Sequence, residues 1–211
     1  PDGMQPMCGN TLQQRRQRGF TMIEVMVAVL VLSIGLLGIA SLLSVTKRSE
    51  HQAWQRSLAL SLADGMVERI RVNPGSAAAY HTGIGTNALG GGTIVTLPTD
   101  CSAQSCSTAQ MAAWDLWEWE RRLDGAAIRD AGVNSVGGLI EPHGCIVFES
   151  AGGSLPNTGK LRVIVSWRGL TDTSDAVAVS GQICGPGAAG TLASRRQVVV
   201  NTYVIDEGDL P

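Results

Sequence analysis

"RRQRGFTMIEVMVAVLVLSIGLLGIASLL", residues 15–43, sets the organisation of the whole chain. Arg15, Arg16 and Arg18 stand just before a Gly19-Phe20 pair, and from Phe20 to Leu43 the only charged side chain is Glu24. A helix over those residues rises roughly 36 Å, against about 30 Å of hydrocarbon in a bilayer. The stretch therefore predicts a membrane span. Basic residues ahead of a span stay on the cytoplasmic side, so the chain after Leu43 is expected beyond the inner membrane. In a chain of 211 residues that leaves room for one domain of ordinary size. The hydrophobic fraction of 44% is an average over two unlike parts, a greasy run and a remainder rich in Gly, Ser and Thr.

Glu24 separates the possible readings of this run. A secretory signal peptide would use Gly38–Ala40 as its cleavage site, and a plain signal anchor would not be cut. Neither has a use for a carboxylate that costs on the order of 1–3 kcal/mol inside an apolar span. A cut between Gly19 and Phe20 supplies one. The new α-amine of Phe20 lies four residues, about one helical turn, from Glu24. The carboxylate can neutralise that amine in its own chain or in a neighbouring copy, and so register one helix against another.

The segment resembles the class III signal peptide of type IV pilins and pseudopilins. In that family a prepilin peptidase cuts after the glycine and N-methylates the phenylalanine, and the glutamate at the fifth mature position recruits subunits into the filament. The resemblance carries these roles to Gly19, Phe20 and Glu24. It implies a pilin-like α+β fold: a long N-terminal helix, transmembrane then amphipathic, packed on an antiparallel sheet head with an additional short helix. The expected divisions are a cytoplasmic leader over 1–19, the span over 20–43, the amphipathic half over 44–74 and the exported head over 75–211. The chain as given begins with Pro1, and Met4 or Met7 is the expected start.

Past the span, Trp54, Leu58, Leu62, Met66 and Ile70 recur every fourth residue and predict the face that lies on the head. Asn73-Pro74-Gly75 predicts the end of the helix. Residues 75–110 read as loop. A second helix is predicted over "STAQMAAWDLWEWERRLDG", capped by Ser107 or Thr108 and ended by Gly125. It places Trp114, Trp117 and Arg121 on one face, with Leu116, Trp119 and Leu123 on another. Trp114, Trp117 and Trp119 are either an anchor for a partner or the core packing of a small helix. Residues 145–150, 160–169, 176–184 and 196–205 read as strands. The chain closes on an acidic "DEGDLP".

Cysteine usage agrees with export. Cys8 lies in the leader, whereas Cys101, Cys106, Cys145 and Cys184 all follow the span. Four cysteines allow three connectivities. The favoured set is Cys101–Cys106, closing a short polar loop, with Cys145–Cys184, and the alternative is free buried thiols. Closing a loop of about 40 residues is worth roughly 4 kcal/mol in the chain-entropy model. A lone C-x4-C is a poor zinc motif.

The span and the helix end "SLALSLADGMVERIRVNP" are also similar to the PilV-type minor pilins, as are Trp119, Cys145 and the Val165-Ser166-Trp167 strand. That resemblance implies a low-abundance subunit working with other minor pilins, the major pilin and a PilY-type adhesin in priming a fibre used for twitching and attachment. No proline follows the first turns of the span, where many major pilins kink. A minor pseudopilin of a type II secretion system is the alternative within the superfamily.

Other functions find little support. Without residues 1–19 the chain holds 13 basic and 17 acidic residues, a net −4, which disfavours nucleic acid as a partner. The basic pairs available to DNA are Arg121-Arg122 and Arg195-Arg196. His51, His81 and His143 are scattered, and no hydrolase, zincin or nucleotide motif occurs. "GIGTNA" (83–88) lacks the strand and helix of a dinucleotide site. Asp206, Glu207 and Asp209 offer too few ordered oxygens for calcium. The expectation is no catalysis, no cofactor and no metal.

Overall fold

The computed structural model describes residues 19–85, 87–126, 137–172, 184–185 and 192–209. The leader up to residue 18, with Cys8, and most of the strand expected over 176–184 lie outside the described residues. The chain divides into two compact units, Pro1–Thr46 and Lys47–Pro211.

The first unit contributes the start of helix α1, Met22–Val72. An unbroken apolar run without proline leaves nothing to stop the helix. Every side chain from Phe20 to Thr46 is exposed, and this is the one helix among the described residues long and apolar enough to cross a membrane. Two of its hydroxyls bond within the helix: Ser33 Oγ donates to the Val29 carbonyl at 2.7 Å and Thr46 Oγ1 to that of Leu42 at 3.0 Å. This is how such groups are accommodated in hydrocarbon.

The second unit is the α+β head. Strands β1 (His143–Gly152), β2 (Leu155–Arg168) and β3 (Arg195–Val204) form an antiparallel sheet in the order β1-β2-β3. Ile146 pairs with Val163, and Val163 with Val200, so these three share one face with Phe148, Leu161, Val165, Trp167 and Val198. That face forms the main core with Ala59, Ala63, Met66, Val67 and Ile70 of α1 and with Trp119 and Leu123 of helix α2, Thr108–Leu123. On the opposite face Cys145 and Ile164 make a smaller cluster with Ala88 and Cys184.

The face of α1 turned to the core is offset from the predicted one. Met66 and Ile70 are fully buried, but Trp54 is 50% exposed and Leu58 and Leu62 are only partly covered. The buried line instead runs through Gln55, Ala59, Ala63 and Val67. A strict i+4 repeat on a helix of 3.6 residues per turn drifts about 40° per step, so its early members rotate off the contact. Ala59 and Ala63 are fully buried in the main core, on a line that a pattern of large apolar residues does not mark.

α1 ends at Val72, as Asn73-Pro74 predicts. A 3-10 turn, Pro74–Tyr80, follows where loop was expected, and it buries Tyr80 completely. Ser107 caps α2: its side chain accepts from Gln110 N–H while the Gln110 side chain accepts from Ser107 N–H. Gly125 follows α2 at φ +71, a conformation that favours glycine. Where α2 meets the sheet, a Cβ on Gly144 would lie 2.6 Å from both the Trp119 ring and Leu123 Cδ1. Only glycine allows that approach.

Candidate functional site

The chemistry the sequence singles out lies at the start of α1. Gly19, Phe20 and Thr21 precede the helix. Thr21 Oγ1 accepts from the Glu24 N–H at 3.3 Å, and the Thr21 carbonyl accepts from Glu24 N–H at 3.1 Å and Val25 N–H at 3.3 Å. Thr21 is thus the N-cap and Glu24 the third helical residue, in a first turn whose unpaired N–H groups favour negative charge. Phe20 is 82% exposed, and among the described residues a Cβ on Gly19 would meet nothing within 4 Å. Phe20 and Glu24 line one shallow groove with Val25, Ala28, Val29 and Leu32. The Gly19–Phe20 peptide bond is free of helical structure, and Glu24 sits on the face below it.

In the head, Cys101–Cys106 and Cys145–Cys184 are both disulfides, with Cα separations of 5.6 and 5.7 Å. The first closes the loop ahead of α2, and the second ties β1 to Cys184 on the outer sheet face. The three tryptophans divide. Trp119 is buried and donates its indole N–H to the Leu62 carbonyl at 2.9 Å, so it belongs to the core. Trp114 and Trp117 are half-buried, with ring centroids 4.9 Å apart and the Arg121 guanidinium 4.7 Å above Trp117.

Two carboxylates on α2 escaped the sequence reading, because an acid inside a helix gives no local sign of being buried. Asp115 accepts from Arg69 Nη1 at 2.7 Å and from the Tyr80 hydroxyl at 2.6 Å, and Asn73 Nδ2 donates to the Tyr80 oxygen at 3.0 Å. Burial, with the bond to Asp115, pushes the Tyr80 hydroxyl's pKa up. Arg69 also pairs with Glu118 at 2.7 Å, and that bond with Arg69 holds Glu118 below the ordinary glutamate range.

Glu120 organises the glycine-rich loop. It accepts from the Gly90 N–H at 3.0 Å, the Thr93 N–H at 2.5 Å, the Ile94 N–H at 2.8 Å and the Thr93 hydroxyl. Burial pushes its pKa up, but the Thr93 hydroxyl and the three N–H donors outweigh that and hold it below the usual value. Asp124, one turn on, takes the N–H groups of Gly91 and Gly92 at 2.7 and 3.2 Å.

The remaining candidates are occupied in structural contacts or exposed. His51 is exposed beside Trp54, and His81 Nδ1 accepts from the Phe148 N–H at 3.0 Å. His143 is partly buried, and burial lowers its pKa. Of the basic pairs, Arg122 bridges Glu118 at 2.6 Å, Arg195 donates to the Glu141 carbonyl at 2.6 Å and Arg196 to that of Thr171 at 2.8 Å. Gly83 and Gly85 have φ of +75 and +92 and lie in a loop. Asp209 accepts from the Asn157 N–H at 2.8 Å. No cluster of His, Cys, Asp or Glu suited to a metal occurs among the described residues.

Neither a curated protein nor a solved structure matches the chain. Two family models do: the prokaryotic N-terminal methylation motif over residues 14–40, and the Tt1218-like family, described as type IV pilin Tt1218, over residues 45–117. One covers Gly19, Phe20 and Glu24, and the other runs from the head half of α1 into α2. With the α+β fold, these matches support membership of the type IV pilin superfamily.

Proposed function

We propose that the chain is a minor pilin of a type IV pilus, similar to the PilV type. Prepilin peptidase cuts it after Gly19, Phe20 is N-methylated, and the subunit joins other minor pilins, the major pilin and a PilY-type adhesin in priming fibre assembly. It is held in the inner membrane by Phe20–Leu43 with its head on the far side, then passes into the fibre. It supports twitching and attachment as a structural subunit, with no catalytic step of its own.

The observation that carries this reading is the start of α1: a non-helical Gly-Phe bond, a carboxylate one turn below, and an apolar helix face with every side chain exposed. A lone exposed apolar helix is an incomplete structure in water. Lipid completes it before assembly and neighbouring helices complete it afterwards.

Deleting the gene and counting surface fibres tests the role. The proposal expects few fibres and lost twitching, both restored by the wild-type chain. Normal fibres with impaired protein secretion would instead assign the chain to a type II secretion system.

A further inference from the structure

The contact that matters here is the one that fixes where α1 begins. In a continuing helix the Glu24 N–H would bond the carbonyl of Phe20, four residues back, and the Ile23 N–H would bond that of Gly19. Here the Thr21 hydroxyl and carbonyl receive the Glu24 N–H at 3.3 and 3.1 Å, and the helix starts at Met22. Thr21 thereby takes the donor that would otherwise draw Phe20 into the helix.

We infer that Thr21 is a positioning residue for leader removal: its side-chain hydroxyl caps α1 and so holds the Gly19–Phe20 peptide bond outside the helix, open to a peptidase. This rests on the pilin reading and adds a residue to it. Peptide hydrolysis adds the hydroxyl of water to the Gly19 carbonyl carbon and a proton to the departing Phe20 nitrogen. A carbonyl bonded inside a helix is shielded from that attack, and its bond must open first. The N-cap lowers the cost by keeping the helix from forming there. Three further observations agree. Residues 19–21 are non-helical, Phe20 is 82% exposed and, among the described residues, nothing lies within 4 Å of a Cβ on Gly19. Thr21-Met22-Ile23-Glu24 also has the T-x-x-E spacing of a capping box, of which the Thr21 half, the bond from the Glu24 N–H to the Thr21 hydroxyl, is formed.

Pulse-labelled full-length chain, expressed in membranes with prepilin peptidase, gives the rate of leader loss. Thr21→Val keeps the side chain's shape without its hydroxyl, and Thr21→Ser keeps the hydroxyl. The expected result is cleavage slowed about fivefold in Thr21→Val and restored to within about twofold by Thr21→Ser. Both variants should carry oxidised Cys145–Cys184, so that slow cleavage is not a misfolded head. A Thr21→Val chain cut at the wild-type rate, or a Thr21→Ser chain as slow as valine, overturns the positioning role. A wild-type chain left uncut overturns the pilin reading and this inference with it.

Discussion

At Glu24 one carboxylate lies in a segment built for hydrocarbon, and its value depends on what it meets. In the proposed processing, the nearest prospective cation, the α-amine of Phe20, is tied up in a peptide bond until the cut after Gly19, which would create that cation one turn away. Glu24→Ala is expected to be processed at the normal rate yet to reach sheared fibres at well under half the wild-type level, as measured by blotting cell and fibre fractions. Breaking an ion pair buried in a fibre core would cost about 3–5 kcal/mol, enough to deplete an assembly step. Replacing Gly19 with a bulky residue is expected to block cleavage and leave the mature mass unseen.

Trp119 and Glu120 show how neighbouring residues on one helix serve different ends. Trp119→Ala removes a buried indole and its hydrogen bond to the Leu62 carbonyl, so the head should lose about 3–5 kcal/mol in denaturant unfolding of the detergent-solubilised chain. Trp117→Ala, half-buried, should cost much less. Glu120 and Glu118 have folded pKa values below their unfolded ones. Their contribution is therefore complete above the unfolded value of about 4.3 and is lost as pH falls through the folded values. Thermal unfolding should accordingly be flat with respect to these groups near neutrality and fall in midpoint below about pH 4. Glu120→Gln should flatten part of that fall.

Among the elements, β1 depends most on a covalent tie. Cys145–Cys184 closes a 39-residue separation, and its loss in the Cys145→Ser, Cys184→Ser double variant should cost about 4 kcal/mol. Urea unfolding of the solubilised full chain measures it. Intact mass should show the native head lighter than the reduced head by two hydrogens per disulfide. Much of this architecture is legible in local sequence. The apolar run gives α1, Asn73-Pro74 its end, Ser107 and Gly125 the limits of α2, and the β-branched runs three strands. What local sequence hides is non-local: Tyr80 joined to Asp115 across 35 residues, Glu120 to the 90–94 loop, and Gly144 against Trp119. The buried face of α1 differs from the expected one because Ala59 and Ala63, small and fully buried, lie on it where large apolar residues give no sign. Likewise, the Thr21 cap is spelled in the sequence as T-x-x-E, but the apolar run around it draws the eye to the span instead.

Across the molecule, an exposed apolar helix and a compact head fit the proposed subunit, complete only in company. The structure gives the head a full core and two disulfides, and leaves the first half of α1 to its surroundings. In the proposed pathway the mature chain starts at Phe20 and enters a fibre. Mass spectrometry of the N-terminal peptide from fibres sheared off cells tests this. A peptide beginning with N-methylated Phe20 is expected in the fibre fraction. A chain that keeps Gly19, one cut instead after Ala40, or one whose methylated peptide occurs only in inner membranes would contradict it.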